Sequence, residues 1–81
     1  MQVRLLFFAQ IREAFGRDHE IVEVEEGSTV VDLVTQLRDR NEWRAVESLP
    51  LSFAVDERVV SGDHVLHDGQ RLALLTPVSG G

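Results

Sequence analysis

Residues 20–37 read EIVEVEEGSTVVDLVTQL, and this stretch contains the change from strand to helix on which the fold depends. Its first part, Glu20 to Glu25, alternates polar and apolar side chains in part, which predicts a β-strand. After a glycine, apolar residues recur at the spacing of one face of an amphipathic helix: Val30, Leu33, Val34 and Leu37. Ser28 or Thr29 can cap this helix, and Asp32 follows Thr29 at the spacing of a capping box. The stretch therefore predicts a strand followed by a capped helix.

The rest of the sequence predicts further strands around this helix. These strands are expected at Gln2–Ala9, Leu51–Val55, Arg58–Val60 and Arg71–Leu75, which are rich in strand formers or alternate in polarity. Gln10–Phe15 predicts a short helical turn that Gly16 can end. Asn41–Leu49 predicts either a short second helix or an irregular crossing that ends at Pro50. The order of elements predicts an α+β domain with one main helix packed on one face of a sheet.

The outer face of that sheet, opposite the helix, is expected to carry more apolar side chains than a solvent-exposed face normally does. Alternation along each strand predicts an inward-facing set: Val3, Leu5, Phe7, Leu51, Phe53, Val55, Leu72 and Leu74. The outward-facing set then comprises Leu6, Phe8, Ala54, Val59 and Leu75, beside Arg4. Because a contiguous exposed apolar patch usually marks a partner surface, we predict a partner interface at Leu6, Phe8, Val59 and Leu75. A bulge in one strand, or the Trp43 segment folded over this face, is the alternative explanation.

The composition excludes several classes of function. The net charge of −6 argues against nucleic-acid binding, which requires clustered basic residues. The sequence has no apolar run of about 20 residues and no signal-peptide pattern, so we expect a cytoplasmic protein without a membrane span. Its 81 residues are enough for one domain and leave little room for an enzyme pocket.

The side chains also form no recognisable catalytic or metal site. The absence of cysteine excludes a disulfide scaffold, a thiolate zinc site and a cysteine nucleophile. The three histidines, His19, His64 and His67, lack the spacing of a metal site, so no metal is expected. No phosphate-binding glycine loop or nucleophile motif is present. If this protein carries sulfur, no side-chain thiol can hold it.

The most distinctive chemical group is instead the last residue of the sequence. Gly80 and Gly81 lack a Cβ atom, so this segment can follow backbone paths closed to other residues and enter a narrow channel in a partner. We therefore expect the carboxylate of Gly81 to be the reactive group. The competing interpretation is an inert, frayed tail.

Three segments resemble the small subunits of molybdopterin synthases, and the resemblance extends over essentially the whole chain. They are Leu6–Glu13 (LFFAQIRE), Leu66-x-Asp68-Gly69, and residues 76–81 (TPVSGG). Thr76 departs from the family, which often has a second proline there. The resemblance implies a ubiquitin-like β-grasp fold, with a mixed sheet of about five strands in residues 1–75 and a flexible, extended tail at 76–81.

The resemblance also implies a mechanism that uses partner proteins. An ATP-dependent activating enzyme would adenylate the carboxylate of Gly81, and a sulfur donor protein would supply sulfur to give a thiocarboxylate. Residues Pro77, Val78, Ser79 and Gly80 would insert into the active site of the large synthase subunit, where the sulfur passes to cyclic pyranopterin monophosphate. The assembly would be a heterotetramer of two large and two small subunits. The chain itself would bind no cofactor.

Other functions use the same activated terminus. The chain could carry sulfur for thiamin synthesis or tRNA thiolation, although thiamin-type carriers are usually shorter and lack the FFAQ-x-RE opening. It could instead be a ubiquitin-like modifier joined to protein lysines. A plain interaction module with an inert tail is a third possibility.

Overall fold

Five strands form one mixed sheet in the computed structural model, which describes residues 1–76. The strands are β1 (Gln2–Phe7), β2 (His19–Glu23), β3 (Ser52–Val55), β4 (Arg58–Val60) and β5 (Arg71–Leu75). Their order across the sheet is β2-β1-β5-β3-β4. The central strands β1 and β5 are parallel, and the other neighbouring pairs are antiparallel. This arrangement confirms the predicted α+β class and the mixed sheet.

Helices cover one face of this sheet. They are α1 (Ala9–Phe15), α2 (Val30–Leu37) and a 3₁₀ helix (Asn41–Ala45). All three contribute side chains to the same buried cluster as the inward residues of β1, which places them on one side of the sheet. Within residues 1–76, none of these helices is long and apolar enough to cross a membrane.

The core lies between the helices and the inner face of the sheet. Its most deeply buried side chains are Val3, Leu5, Phe7, Ile11, Val30, Leu33, Leu37, Val46, Leu66, Leu72 and Leu74. The inward orientation predicted for the residues of β1 and β5 is therefore confirmed. Leu51 and Phe53 are partly buried and pack against the same cluster.

The first strand is shorter than the sequence pattern predicts. It ends at Phe7, and Ala9 already begins α1 with a φ of 50°, which is outside the range of an extended strand. A positive φ is uncommon for alanine, and strand propensity alone gives no sign of it. Gly16 ends α1 as expected, with a φ of 73° and its N–H donating to the Arg12 carbonyl at 2.9 Å.

Helix α2 begins with a complete capping box. The Asp32 N–H donates to Thr29 Oγ1 at 3.2 Å, and the Thr29 N–H donates to Asp32 Oδ2 at 2.9 Å. Thr29, rather than Ser28, is therefore the N-cap residue. The predicted apolar stripe of this helix is buried, so the helix packs with the expected face on the sheet.

The segment after α2 folds into the core. Trp43 lies in the 3₁₀ helix and is buried in the main apolar cluster. The alternative in which this segment covers the outer face of the sheet is therefore wrong. Ala54 is also buried, but it does not belong to that cluster. Its small side chain lies on the outer face between its cross-strand neighbours Ala73 and Val59.

Candidate functional site

The outer face of the sheet carries a row of apolar residues across four strands. Leu6 on β1 is the cross-strand partner of Ala73 on β5, Ala73 that of Ala54 on β3, and Ala54 that of Val59 on β4. These four residues are called the apolar row below. Two alanines occupy the middle of the row, and the larger side chains of Leu6 and Val59 occupy its ends.

The apolar row and its neighbours are open to solvent to different degrees. Val59 is 79% exposed and Phe8 is 48% exposed. Leu6 and Leu75 are half-buried, and neither belongs to the core cluster. These four residues, proposed from the sequence as a partner interface, therefore lie on the face that the helices leave uncovered. Their role in binding stays a prediction.

Phe8 owes its position to the junction between β1 and α1. Its backbone is extended, and its carbonyl accepts hydrogen bonds from the N–H groups of Ile11 at 3.0 Å and Arg12 at 3.3 Å. Its neighbour Phe7 points inward, where its ring stacks on that of Phe15 with a centroid distance of 4.5 Å. Because successive strand residues face opposite sides, burial of Phe7 fixes the exposure of Phe8.

Ile21 extends the exposed face onto β2 and was missed by the sequence prediction. It is 54% exposed and is the cross-strand partner of Arg4. Alternation contained the signal, since Val22 and Val24 are buried and Ile21 must then face the opposite side.

Parallel pairing brings the end of β5 to the same edge of the sheet as Phe8. Phe7 is the cross-strand partner of Leu74, and Phe8 and Leu75 are the residues that directly follow this last pair. Thr76 follows directly. Of the tail predicted at residues 76–81, the structure describes Thr76, and Pro77, Val78, Ser79, Gly80 and Gly81 lie outside the described residues. The last described residues, Leu75 and Thr76, therefore lie next to the apolar face.

The side chains of residues 1–76 form no cluster of three or more histidine or acidic residues that could hold a metal ion. His19 Nδ1 lies 2.6 Å from Asp18 Oδ1, and this hydrogen bond lowers the pKa of Asp18. Both side chains are exposed, which is typical of a solvated surface pair. A groove of about 530 Å³ is lined by residues that include Trp43, Arg38 and Glu47. It contains no nucleophile paired with a base.

The sequence profile of the ThiS family matches residues 5–81. The chain belongs to the ThiS family. It is 38% identical to the molybdopterin synthase sulfur carrier subunit of Escherichia coli K12, over 98% of this chain and 99% of that protein. It is 31% identical to the subunit of the same name from Chlamydomonas reinhardtii, over 100% of both chains. The resemblance inferred from the sequence motifs is therefore confirmed.

Solved structures confirm the ubiquitin-like β-grasp fold of this ThiS-family chain. SAMP1 from Haloferax volcanii superposes with a TM-score of 0.83, at 24% identity and over 100% of both chains. The ubiquitin of Caldiarchaeum subterraneum superposes with a TM-score of 0.61, at 19% identity, over 100% of this chain and 98% of that one. A complex of subunits 1 and 2 of the molybdopterin-converting factor from Helicobacter pylori gives a TM-score of 0.75, at 21% identity and over 100% of both chains.

Proposed function

We propose that this chain is the sulfur carrier subunit of a molybdopterin synthase. The relatives that match it from end to end bear that name. The structural observation that carries the proposal is the parallel pairing of β1 and β5, in which Phe8 and Leu75 directly follow the last cross-strand pair, Phe7 and Leu74. A protein that binds the outer face would therefore also lie close to Thr76, after which the proposed tail residues begin.

The chemistry takes place at the carboxylate of Gly81. A carboxylate oxygen attacks the α-phosphorus of ATP in the activating enzyme, and pyrophosphate leaves. The resulting acyl adenylate has an electrophilic carbonyl carbon. Hydrosulfide, delivered by a donor protein, attacks this carbon, the bond from the carbon to the AMP oxygen breaks, and a thiocarboxylate remains. Because glycine has no side chain, the attacked carbonyl of Gly81 is not shielded by a Cβ atom. The chain has no cysteine, so no internal thiol competes for the activated carbonyl.

The large synthase subunit is the proposed receiver of this sulfur. It would bind the outer face through Leu6, Phe8, Val59 and Leu75. Fully extended, residues 76–81 would span roughly 20 Å, which is enough to reach a buried active site. In that site the thiocarboxylate sulfur would bond to a carbon of cyclic pyranopterin monophosphate, and water would then cleave the acyl C–S bond and restore the carboxylate of Gly81. The Helicobacter pylori complex of two converting-factor subunits supports a pairing of this kind.

Intact mass spectrometry tests the proposal. Incubation with ATP, sulfide and an activating enzyme should add the mass difference between sulfur and oxygen, and fragmentation should place it at Gly81. A variant that lacks Gly81 should fold normally and gain no mass. Addition of the large subunit and cyclic pyranopterin monophosphate should then remove the added mass and yield molybdopterin. A truncated chain that still accepts sulfur would refute the mechanism.

Attachment to other proteins is the second candidate function. The close superposition on SAMP1, which is named as a small archaeal modifier protein, favours it. The same activated Gly81 would then form an isopeptide bond with a lysine of a target. This chain contains no lysine, so one copy could not be attached to a lysine of another. Covalent adducts of higher mass in cells that express the tagged chain would support this function, and their absence would favour sulfur transfer.

A further inference from the structure

Two arginines lie side by side on the outer face of the sheet. Arg4 on β1 is the cross-strand partner of Arg71 on β5. Arg4 alternates with Leu6, and Arg71 alternates with Ala73, so both side chains share the face of the apolar row. Like charges on adjacent strands are destabilising, so folding alone gives no reason for this pair.

Among residues 1–76, an acidic side chain pairs with only one of these two arginines. Arg71 Nε lies 3.6 Å from Asp56 Oδ1, and the same oxygen accepts a hydrogen bond from the Arg71 N–H at 3.0 Å. No ion pair formed within residues 1–76 includes Arg4. The chain has 14 acidic residues against eight basic ones, yet none of the described carboxylates pairs with this exposed guanidinium.

Both arginines line one shallow cleft. The cleft measures about 260 Å³ and is lined by Gln2, Val3, Arg4, Ile21, Gly69 and Arg71. Its lining contains two cationic groups and no carboxylate. Pockets for small molecules usually measure about 300–1,000 Å³, so this cleft is better suited to a single side chain than to a cofactor. A guanidinium binds a carboxylate with a matching fork of hydrogen bonds, which defines the preferred occupant.

We propose that Arg4 and Arg71 bind carboxylate side chains of the protein that covers the outer face. This inference rests on the proposed function, in which that protein is the large synthase subunit. Apolar contact with the row and with Phe8 would supply most of the affinity. The arginine pair, at one end of the same face, would select a partner with acidic residues at the matching position and fix its orientation.

Binding measurements on charge-neutral variants test this role. The affinity of the large subunit is measured by isothermal titration calorimetry for the wild type, Arg4→Gln, Arg71→Gln and the double variant. Each single change should weaken binding about fivefold at low salt, and the double change about twentyfold. The wild-type affinity should fall as salt rises, and the double variant should lose most of this salt dependence.

Arg44→Gln is the matched control. It removes the same charge from an exposed position in the 3₁₀ helix, on the opposite side of the sheet, and should bind as the wild type does. Thermal unfolding of each variant checks the fold. The backbone N–H of Arg71 still donates to Asp56 after substitution, so the β3–β4 turn should be retained.

The outcomes separate this inference from the proposed function. If the double variant binds as tightly as the wild type while Phe8→Asp loses binding, the arginine role is wrong and the proposed interface stands. If all variants lose affinity equally, including Arg44→Gln, general charge attraction explains the effect and the role of this pair is again wrong. If the wild type does not bind the large subunit at all, both proposals fail.

Discussion

The Arg40 guanidinium donates hydrogen bonds to both carboxylate oxygens of Glu20, from Nη1 to Oε1 at 2.8 Å and from Nη2 to Oε2 at 2.6 Å. Arg17 Nε donates to the same Oε1 at 3.0 Å. Glu20 lies in the edge strand β2, and Arg40 lies between α2 and the 3₁₀ helix. The two side chains are only 19% and 32% exposed, so this pair joins the sheet to the helical layer in a partly desolvated setting.

Stability should therefore depend on the charge of Glu20. The hydrogen bonds from Arg40, followed by those from Arg17, lower the pKa of Glu20 from 4.5 to about 2. Because the pKa is lower in the folded state, the stabilisation is complete above pH 4.5 and is lost as the pH falls from there to about 2. Glu20→Gln should lower the free energy of unfolding by about 1–2 kcal/mol near neutral pH. Chemical denaturation over this pH range should show the difference from wild type shrinking in acid.

Glu26→Gln is the control for this prediction, since Glu26 is exposed and takes part in none of the ion pairs among residues 1–76. It should leave the free energy of unfolding nearly unchanged. A Glu20→Gln variant as stable as wild type at neutral pH would show that the pair contributes nothing net.

The adjacent residues Phe7 and Phe8 should respond oppositely to substitution. Phe7→Ala removes a buried ring that stacks on Phe15 and should cost about 3–4 kcal/mol of stability. Phe8→Asp changes a half-exposed side chain and should alter stability by only about 0.5 kcal/mol. It should instead weaken binding of the large synthase subunit about tenfold or more, as measured by calorimetry. If Phe8→Asp unfolds, Phe8 is a core residue and the assignment of the outer face is wrong.

Glu57→Gly should stabilise the turn between β3 and β4. Asp56 and Glu57 form this two-residue turn with φ values of 48° and 73°, as a type I′ turn requires. Glycine reaches this region without the steric cost that glutamate bears, so we expect a gain of about 0.5–1 kcal/mol by thermal unfolding. Arg58→Gly, one residue later in β4, should be destabilising. The φ of Arg58 is not positive, so glycine relieves no strain there, and glycine inside a strand lowers stability. A loss of stability in Glu57→Gly would contradict the turn assignment.

Thr29→Ala should weaken the start of α2. The substitution removes the hydroxyl that accepts from the Asp32 N–H, and loss of such a cap costs about 1 kcal/mol. Thr35→Ala is the matched control, because Thr35 lies inside the same helix, where its hydroxyl only donates to the Val31 carbonyl at 2.8 Å. Alanine has the higher helix propensity, so the control should be neutral or slightly stabilising. Equal losses in both variants, measured by urea denaturation, would argue against a specific cap.

Local patterns in the sequence predicted much of the fold and part of the candidate site. The apolar spacing and capping residues of α2 predicted the helix and its buried face, because both depend on neighbours within one turn. Alternation along β1 separated Phe7 from Phe8, since each residue of a strand faces opposite to the next. The same rule, applied to β2, would have predicted the exposure of Ile21.

The sequence by itself determined the class of fold, the direction of most strand side chains and the resemblance to sulfur carriers, because these follow from short-range periodicity and motifs. Only the tertiary structure decided that β1 and β5 are parallel neighbours, which places Arg4 beside Arg71 and Leu74 beside Phe7, with Leu75 and Phe8 next along the two segments. It also decided that Trp43 enters the core. Strands 64 or more residues apart in sequence pair according to how the whole sheet buries its inner face. No local pattern predicts that choice, and the position of the apolar face relative to Leu75 and Thr76 depends on it.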